Sequence, residues 1–260
     1  MTTEIKPETK TSANEKKPEA QTVSQGKTAK GDFIEIKFSG YGNGELFDSN
    51  IEEDLKKLHP KAKVEKMIVI VGEGMVVQGL DKALEGKELE KEYEVSFSHK
   101  EGFGERNRNL LRVIPLSQFA AQKVNPYPGL VLALDNQVVK IIAVSGARVT
   151  TDFNNPLAGK SLRYKFKIIR KVEDEKERAE TVFKLLLGFL PEFEIKEKSI
   201  AVKFPKGLET FIDPYKEKFK KLLGKDLEFK EMTKEEIESR RKEMEEREKS
   251  HEHSHEVHEH

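Results

Sequence analysis

Cysteine is absent from this sequence. That excludes disulfides and thiol catalysis, and it fits a reducing cytosol. No apolar run approaches the ~18 residues of a membrane span, so no membrane partner is expected. The first residues hold no apolar signal core, and their several glutamates argue against an organellar transit peptide; the expected location is cytoplasmic. Net charge is missing as well, with 47 Lys+Arg against 47 Asp+Glu. No bulk field draws the chain to nucleic acid or anionic lipid, and no nucleic acid is expected as a partner. No Ser-His-Asp spacing stands out, and His59 and His99 are isolated. This inventory fits a reaction without a nucleophile and without a required cofactor.

What is plentiful is charge. Charged residues make up 36% of the chain, well above the usual quarter. An ion-pair-laced surface of a heat-adapted protein accounts for that, and so do long polar tails. A chain of 260 residues holds one to three domains. Met1–Lys30 is Thr, Lys, Glu, Pro and Ala with almost no apolar periodicity. It cannot bury enough surface to offset ordering, and residues 1–30 are expected to be a disordered tail.

The stretch Val69–Gly86 organises the rest. The apolar run Met67–Val71 is too short for a helix and reads as a buried strand. Gly72 and Gly74 bracket a turn. Val76, Val77 and Leu80 follow at helical spacing, Ala83 and Leu84 continue the stripe, and Gly86 closes the helix as a C′ residue. Before it, Ile34, Ile36 and Phe38 alternate with charges as in a half-buried strand, Asn43-Gly44 marks a turn, and Phe47-Asp48 follows. Ile51, Leu55 and Leu58 mark a short helix with acids first and lysines later, which Pro60 ends. After Gly86, Tyr93, Val95 and Phe97 share one face of a strand, and Phe103-Gly104 sits at a glycine-flanked bend. An antiparallel sheet with one short helix on its concave face is implied.

In order, the pieces Lys37–Tyr41 (KFSGY), Leu46–Asn50 (LFDSN), Val76–Gly86 (VVQGLDKALEG), Glu101–Gly104 (EGFG) and Leu162–Ile168 (LRYKFKI) resemble the FK506-binding-protein (FKBP) family of peptidyl-prolyl cis-trans isomerases. Each piece alone is weak; their order and spacing carry the match. The long segment between EGFG and LRYKFKI, with NNPLAGKSL, looks like the SlyD-type subgroup, in which a further domain is inserted in the flap. The resemblance covers roughly Lys30–Val172. The expected fold class is α+β: an antiparallel sheet wrapped on a short helix over 31–105 and 154–172, an all-β insert-in-flap lobe over 106–153, and a small α+β C-terminal domain over 173–232.

Within the insert, Leu110–Ile114 reads as a strand, and Pro115–Phe119 as a turn into a helical turn. Leu130–Leu134 and Val138–Val144 flank Asp135-Asn136-Gln137, a hairpin signal with a three-residue loop, and Ala147–Thr151 adds a strand. A lobe of this size has little room for a core, which leaves Leu130, Leu132, Val138 and Ile141 as candidates for exposure. In the SlyD-type subgroup the insert binds unfolded chains, and the resemblance implies the same for these four. Packing of the lobe alone is the competing reading.

Further on, Glu175–Leu187 is amphipathic, with Ala179, Val182, Phe183, Leu186 and Leu187 on one stripe; Gly188 and Pro191 end it. Phe193–Ile195 and Ser199–Phe204 read as a strand pair, and Leu208–Leu223 as a helical region that Asp213-Pro214 divides. Leu227–Lys230 is a further strand. This unit is expected either to hold a partner, such as a second copy in a homodimer, or to stand alone. Thr233 and Glu236 form a capping box for Lys234–Lys249, a helix with too few apolar residues to pack; residues 233–260 are a charged helix and tail. The tail carries His251, His253, His255, His258 and His260, whose imidazoles suit Ni, Cu, Co and Zn without selecting among them.

Carried over residue by residue, the resemblance implies an apolar cup of Phe38, Phe47, Met67, Val76, Val77, Leu80, Phe103 and Tyr164. Leu80 would lie under the proline ring, and Phe47, Phe103, Leu80 and Asp48 would be its working residues. Asp48 is the one charge at the rim; in the family it lies close to the bound carbonyl, and changing it reduces activity. Where members often carry tryptophan this chain has Leu80, and where they often carry tyrosine it has Phe38 and Phe103. The bland alternatives are that Asp48 caps the helix at Ile51 or a turn, and that Val76, Val77 and Leu80 are ordinary core. The implied function is isomerisation of X-Pro bonds in unfolded or partly folded polypeptides held by the insert. The rivals are a non-catalytic holdase and a metal-delivery factor working through the histidines.

Overall fold

Ile34, Ile36 and Phe38 alternate with Glu35 and Lys37, and in the computed structural model the three apolar residues are buried on β1 (Phe33–Gly42). The structure describes residues 26–134, 137–239 and 241–242. Asn43 and Gly44 both have positive φ, 51° and 92°, so the turn to β2 (Glu45–Ser49) carries the twist that a two-residue hairpin needs. α1 (Glu52–Leu58) starts with Glu52, Glu53 and Asp54 and ends with Lys56 and Lys57, complementing its dipole. β3 (Met67–Ile70) leads through a glycine turn into α2 (Gln78–Leu84). Gly86 (φ 72°) then reverses the chain, which continues into β4 (Glu92–Phe97).

The next elements are β5 (Leu111–Pro115), α3 (Leu116–Ala121), β6 (Val131–Leu134), β7 (Gln137–Ser145) and β8 (Arg148–Asp152). They form a separate four-stranded antiparallel sheet in the order β5-β8-β7-β6. Three expectations change here. Gln137 pairs with Leu134, so it belongs to the strand and the connection is two residues, not three; Asp135 and Asn136 lie outside the described residues. The unit is not all-β: Phe119 of α3 is completely buried with Ile141 and Val149, because one face of a four-stranded sheet needs a cover. Ile141 is not exposed. The alternation of β7 turns Val139 and Ile141 inward and Val138 and Ile142 outward.

β9 (Leu162–Lys171) returns to the first sheet and pairs with β1 on one side and β4 on the other. That sheet runs β2-β1-β9-β4, with β3 pairing the start of β1, and every pairing is antiparallel. α2 lies on its concave face, burying Leu80 and Leu84 among Ile34, Ile36, Val69 and Ile168.

α4 (Glu175–Leu187) follows, its N-terminus capped by the Asp174 carboxylate. Next come β10 (Phe193–Ile195), β11 (Ser199–Phe204), α5 (Lys216–Leu223) and β12 (Asp226–Glu231). Pro214 lies in a 3-10 turn, Glu209–Tyr215, and α5 starts only after it. β11 lies between antiparallel β10 and parallel β12, the geometry a helical crossover permits. The core of this third sheet is not its own alone. Phe33 and Ile70 of the first sheet, and Val172 just after β9, are buried in the same cluster as Val182, Phe183, Val202 and Phe219. The protein is therefore α+β, with antiparallel sheets and helices packed on them.

The expected tail ends earlier than Lys30. Thr28 is buried; its hydroxyl donates to the Leu84 carbonyl at 2.5 Å and its backbone exchanges hydrogen bonds with Gly86 and Lys87. Thr233 and Glu236 make the reciprocal capping bonds at 2.8 and 3.2 Å. Residues 234–239 and 241–242 are helical, as expected; the rest of the predicted last helix, residues 1–25 and all five tail histidines lie outside the described residues. Among the described residues no helix is long and apolar enough to cross a membrane, and none forms a His/Cys/Asp/Glu group able to hold a metal.

Candidate active site

The site begins with an irregularity in the β1–β2 pairing. Gly40 faces Asp48, but Tyr41 faces Leu46, so Phe47 is the extra residue of a bulge. A bulge re-aims side chains that strict alternation would send to opposite faces. Phe47 reaches the concave side: its ring meets Tyr164 edge-on at 5.9 Å and Phe103 at 6.1 Å. The space it enters exists because residue 40 is glycine. A Cβ there would stand 2.9 Å from the rings of both Phe47 and Tyr164.

All eight residues of the expected cup fall in one cluster. Leu80, Phe38 and Tyr164 are buried in it, and Phe47, Met67, Val76, Val77 and Phe103 are half-buried. They come from β1, β2, β3, the β3–α2 turn, α2, the bend after β4, and β9. Asp48 stays in β2, exposed beside Phe47. It does not cap α1, whose N-cap is Ile51 without a side-chain bond; the Ser49 hydroxyl accepts the Ile51 N–H instead. Among the insert residues, Leu130 and Leu132 are half-buried against Phe119, Ile141 and Val149, whereas Val138 is 56% exposed. None of these four joins the cup.

The electrostatics follow from dryness. Desolvation raises the Asp48 carboxyl above its ordinary value, while a bond from the Ser49 backbone and the charge of His59 oppose the shift. Burial, with the Asp48 charge adding to it, pushes the Tyr164 phenol up to about 12. Tyr164 is 4% exposed, yet its hydroxyl is not sealed away, and it has no hydrogen-bond partner among the described residues. A neutral donor therefore stands free in an apolar surround near a carboxylate.

Three contributors escaped the sequence reading. Gly40 makes room, as above. Phe97 stacks on Tyr164 with centroids 5.8 Å apart and an 11° tilt. Gly79, inside α2, lets the helix rest on that ring, since a Cβ would come within 2.3 Å of it. A glycine inside a helical pattern is a recognisable sign of close approach. On the other face of the sheet a hollow of about 420 Å³ lies over Lys37, Ser39, Lys165 and Lys167. Its walls mix charged side chains with Tyr41, Ile51, Tyr93 and Phe166, and none of the eight cup residues lines it.

The family model described as FKBP-type peptidyl-prolyl cis-trans isomerase matches residues 24–120. One described as the IF domain of FKBP26 matches residues 112–157. The chain is 32% identical over 142 residues to the short-type peptidyl-prolyl cis-trans isomerase of Methanocaldococcus jannaschii, covering 54% of this chain and 90% of that one. It is 27% identical over 147 residues to the FKBP-type isomerase SlyD of Helicobacter pylori, covering 55% and 74%. With SlyD of Haemophilus influenzae it shares 32% over 103 residues, 38% of this chain and 53% of the relative.

Proposed function

This chain belongs to the FKBP-type peptidyl-prolyl cis-trans isomerases, and from that premise we propose that the aromatic bowl is where it turns X-Pro bonds, in chains that the second sheet holds. The observation that carries the first half is that all eight expected cup residues belong to one apolar cluster, with Asp48 exposed next to Phe47.

The chemistry needs no nucleophile. Rotation about an amide C–N bond breaks resonance, at ~18–20 kcal/mol for an ordinary peptide bond, and X-Pro rotation is slow for the same reason. The planar amide is strongly polarised and prefers water. The twisted amide has lost charge separation at its carbonyl and gained a lone pair on nitrogen. A dry bowl therefore favours the twisted state over the planar one, and each ~1.4 kcal/mol of that preference is tenfold in rate. The Asp48 charge acts in the same direction. Beside a carbonyl oxygen it repels the partial negative charge that the planar form carries and the twisted form has given up.

The exposed valines of the second sheet, Val113, Val131 and Val138, support the holding role. Val131 and Val138 line a groove of about 480 Å³ whose other wall includes Asn43, Pro156 and Lys160 next to the first sheet. A segment held there is delivered at high effective concentration. This is the insert-in-flap chaperone reading, with unfolded, proline-containing polypeptides as partners in the cytoplasm. The exposed Phe189, Leu190, Leu208 and Phe211 beside the third sheet support a homodimer through the C-terminal domain, which the dependence of mass on concentration tests. The five tail histidines keep their proposed affinity for nickel or its neighbours, readable by calorimetry.

Proline-limited refolding of a client with Asp48→Ala and Leu80→Ala variants tests the catalytic claim. A marked slowing is expected from both; wild-type rates in both would leave a holdase without an active bowl.

A further inference from the structure

The segment Gly72–Val77 joins β3 to α2 and carries Val76 and Val77, two rim residues of the bowl. It is intrinsically soft, because Gly72 and Gly74 both occupy positive φ, 81° and 71°, where glycine moves freely. One restraint is local: the Asp81 carboxylate accepts the Gly72 and Gly74 N–H groups at 2.9 and 3.0 Å. A second is the Glu73 N–H, which donates to the Ile70 carbonyl at 3.2 Å; further restraints come from the C-terminal elements. Lys218 Nζ on α5 lies 3.0 Å from Glu73 Oε2, and the Glu73 side chain is only 12% exposed. Lys218 is held in place by its neighbour Phe219, which is fully buried against Phe183 at 5.1 Å. Met75 packs against both the bowl's cluster and the third-sheet cluster. Its Sδ accepts the Ile70 N–H at 3.3 Å, and Ile70 is completely buried with Phe33 and Val172 in the third-sheet cluster.

We propose that the C-terminal sheet-and-helix region sets the shape of the bowl: Lys218, through Glu73, and Met75, across the shared core, hold the Val76–Val77 wall. Lys218 is a positioning residue and touches no substrate. The argument rests on the bowl being the site of isomerisation. Its physical basis is that a flexible turn clamped on one side only leaves its far wall free to shift, and a displacement of ~1 Å at a binding wall is enough to lower a rate substantially. The pair suits a clamp from one side: removing Lys218 leaves the poorly hydrated Glu73 charge behind, whereas the Lys218 side chain is itself 44% exposed.

The test uses the full chain. Lys218→Met, Glu73→Gln and the charge swap Glu73→Lys with Lys218→Glu are assayed on a short proline peptide, well below the unfolding temperature. Leu80→Ala and Lys216→Met run in parallel; Lys216 is on the same helix as Lys218 but pairs with Asp213 of the preceding 3-10 turn at 2.7 Å. Lys218→Met is expected to lower kcat/KM about three- to tenfold, to shift the methyl resonances of Val76 and Val77, and to leave Lys216→Met as the unaffected control. The swap is expected to recover most of the loss. If Leu80→Ala slows the enzyme while Lys218→Met and Glu73→Gln leave both kcat/KM and the valine resonances unchanged, the clamp is refuted and the bowl stands. If Leu80→Ala is also without effect, the bowl itself is refuted and the clamp goes with it.

Discussion

Asp48 and Tyr164 are both cross-strand partners of Gly40, one on each side of it. Directly paired residues of a sheet share a face, so a carboxylate and a phenol flank a gap left by a missing side chain. In the proposed function the two groups would act oppositely on a bound amide: Asp48 offers negative charge, and Tyr164 an O–H without a partner among the described residues.

Replacing Asp48 by Asn is expected to lower kcat/KM about tenfold, ~1.4 kcal/mol of barrier, without loss of stability. The sign follows from its raised pKa. A carboxyl that titrates higher in the folded state binds its proton more tightly there than in the unfolded chain. Protonation then favours folding, and that gain is lost as pH rises through the folded value. At neutral pH the charge is a small liability to the fold, so Asp48→Asn should unfold no earlier than the parent. Thermal unfolding beside peptide kinetics measures both; a large drop in melting temperature would contradict the assignment.

Tyr164→Phe removes a hydroxyl that no described residue binds. Stability should change by less than about 1 kcal/mol, the worth of one ordinary hydrogen bond. A free donor is best matched to the nitrogen lone pair that appears only in the twisted amide, so kcat is expected to fall about two- to tenfold while KM holds. Ultraviolet titration provides an independent check. The phenol removed by the substitution is the one that ionises near 12, well beyond an ordinary tyrosine. Loss of a titration step near 10 instead would show that the ring is wet.

Gly79→Ala separates helix propensity from packing. Propensity alone predicts a gain of about 1 kcal/mol. The added Cβ would meet the Phe97 ring at 2.3 Å, and overpacking of this kind costs about 1–3 kcal/mol. Net destabilisation in a denaturant titration is expected, with reduced activity because Phe97 supports Tyr164.

Val138 and Ile141 give a contrast within one strand. Ile141 is completely buried and Val138 mostly exposed. Ile141→Ala should cost about 2–5 kcal/mol of local stability, visible as faster hydrogen exchange in β7 and β8. Val138→Ser should leave exchange unchanged and weaken suppression of client aggregation. Unchanged suppression in Val138→Ser would mean that the exposed face holds nothing.

Much of this protein was determined by local rules acting on nearby residues. The alternation of Ile34, Ile36 and Phe38, the Asn43-Gly44 turn, the amphipathic Glu175–Leu187 and the Thr233–Glu236 box all appear as read, because period, turn chemistry and capping depend on a few neighbours. The eight cup residues were legible as a set through their order along the chain, and they do meet. Tertiary structure alone decided the rest. The Phe47 bulge depends on how β2 registers against β1, the need for glycine at 40 and 79 on rings far away in sequence, and the inward turn of Ile141 on pairing parity. The union of the C-terminal region with Phe33, Ile70 and Val172 depends on which apolar surfaces remain uncovered once every sheet has formed, and no stretch of sequence carries that information by itself.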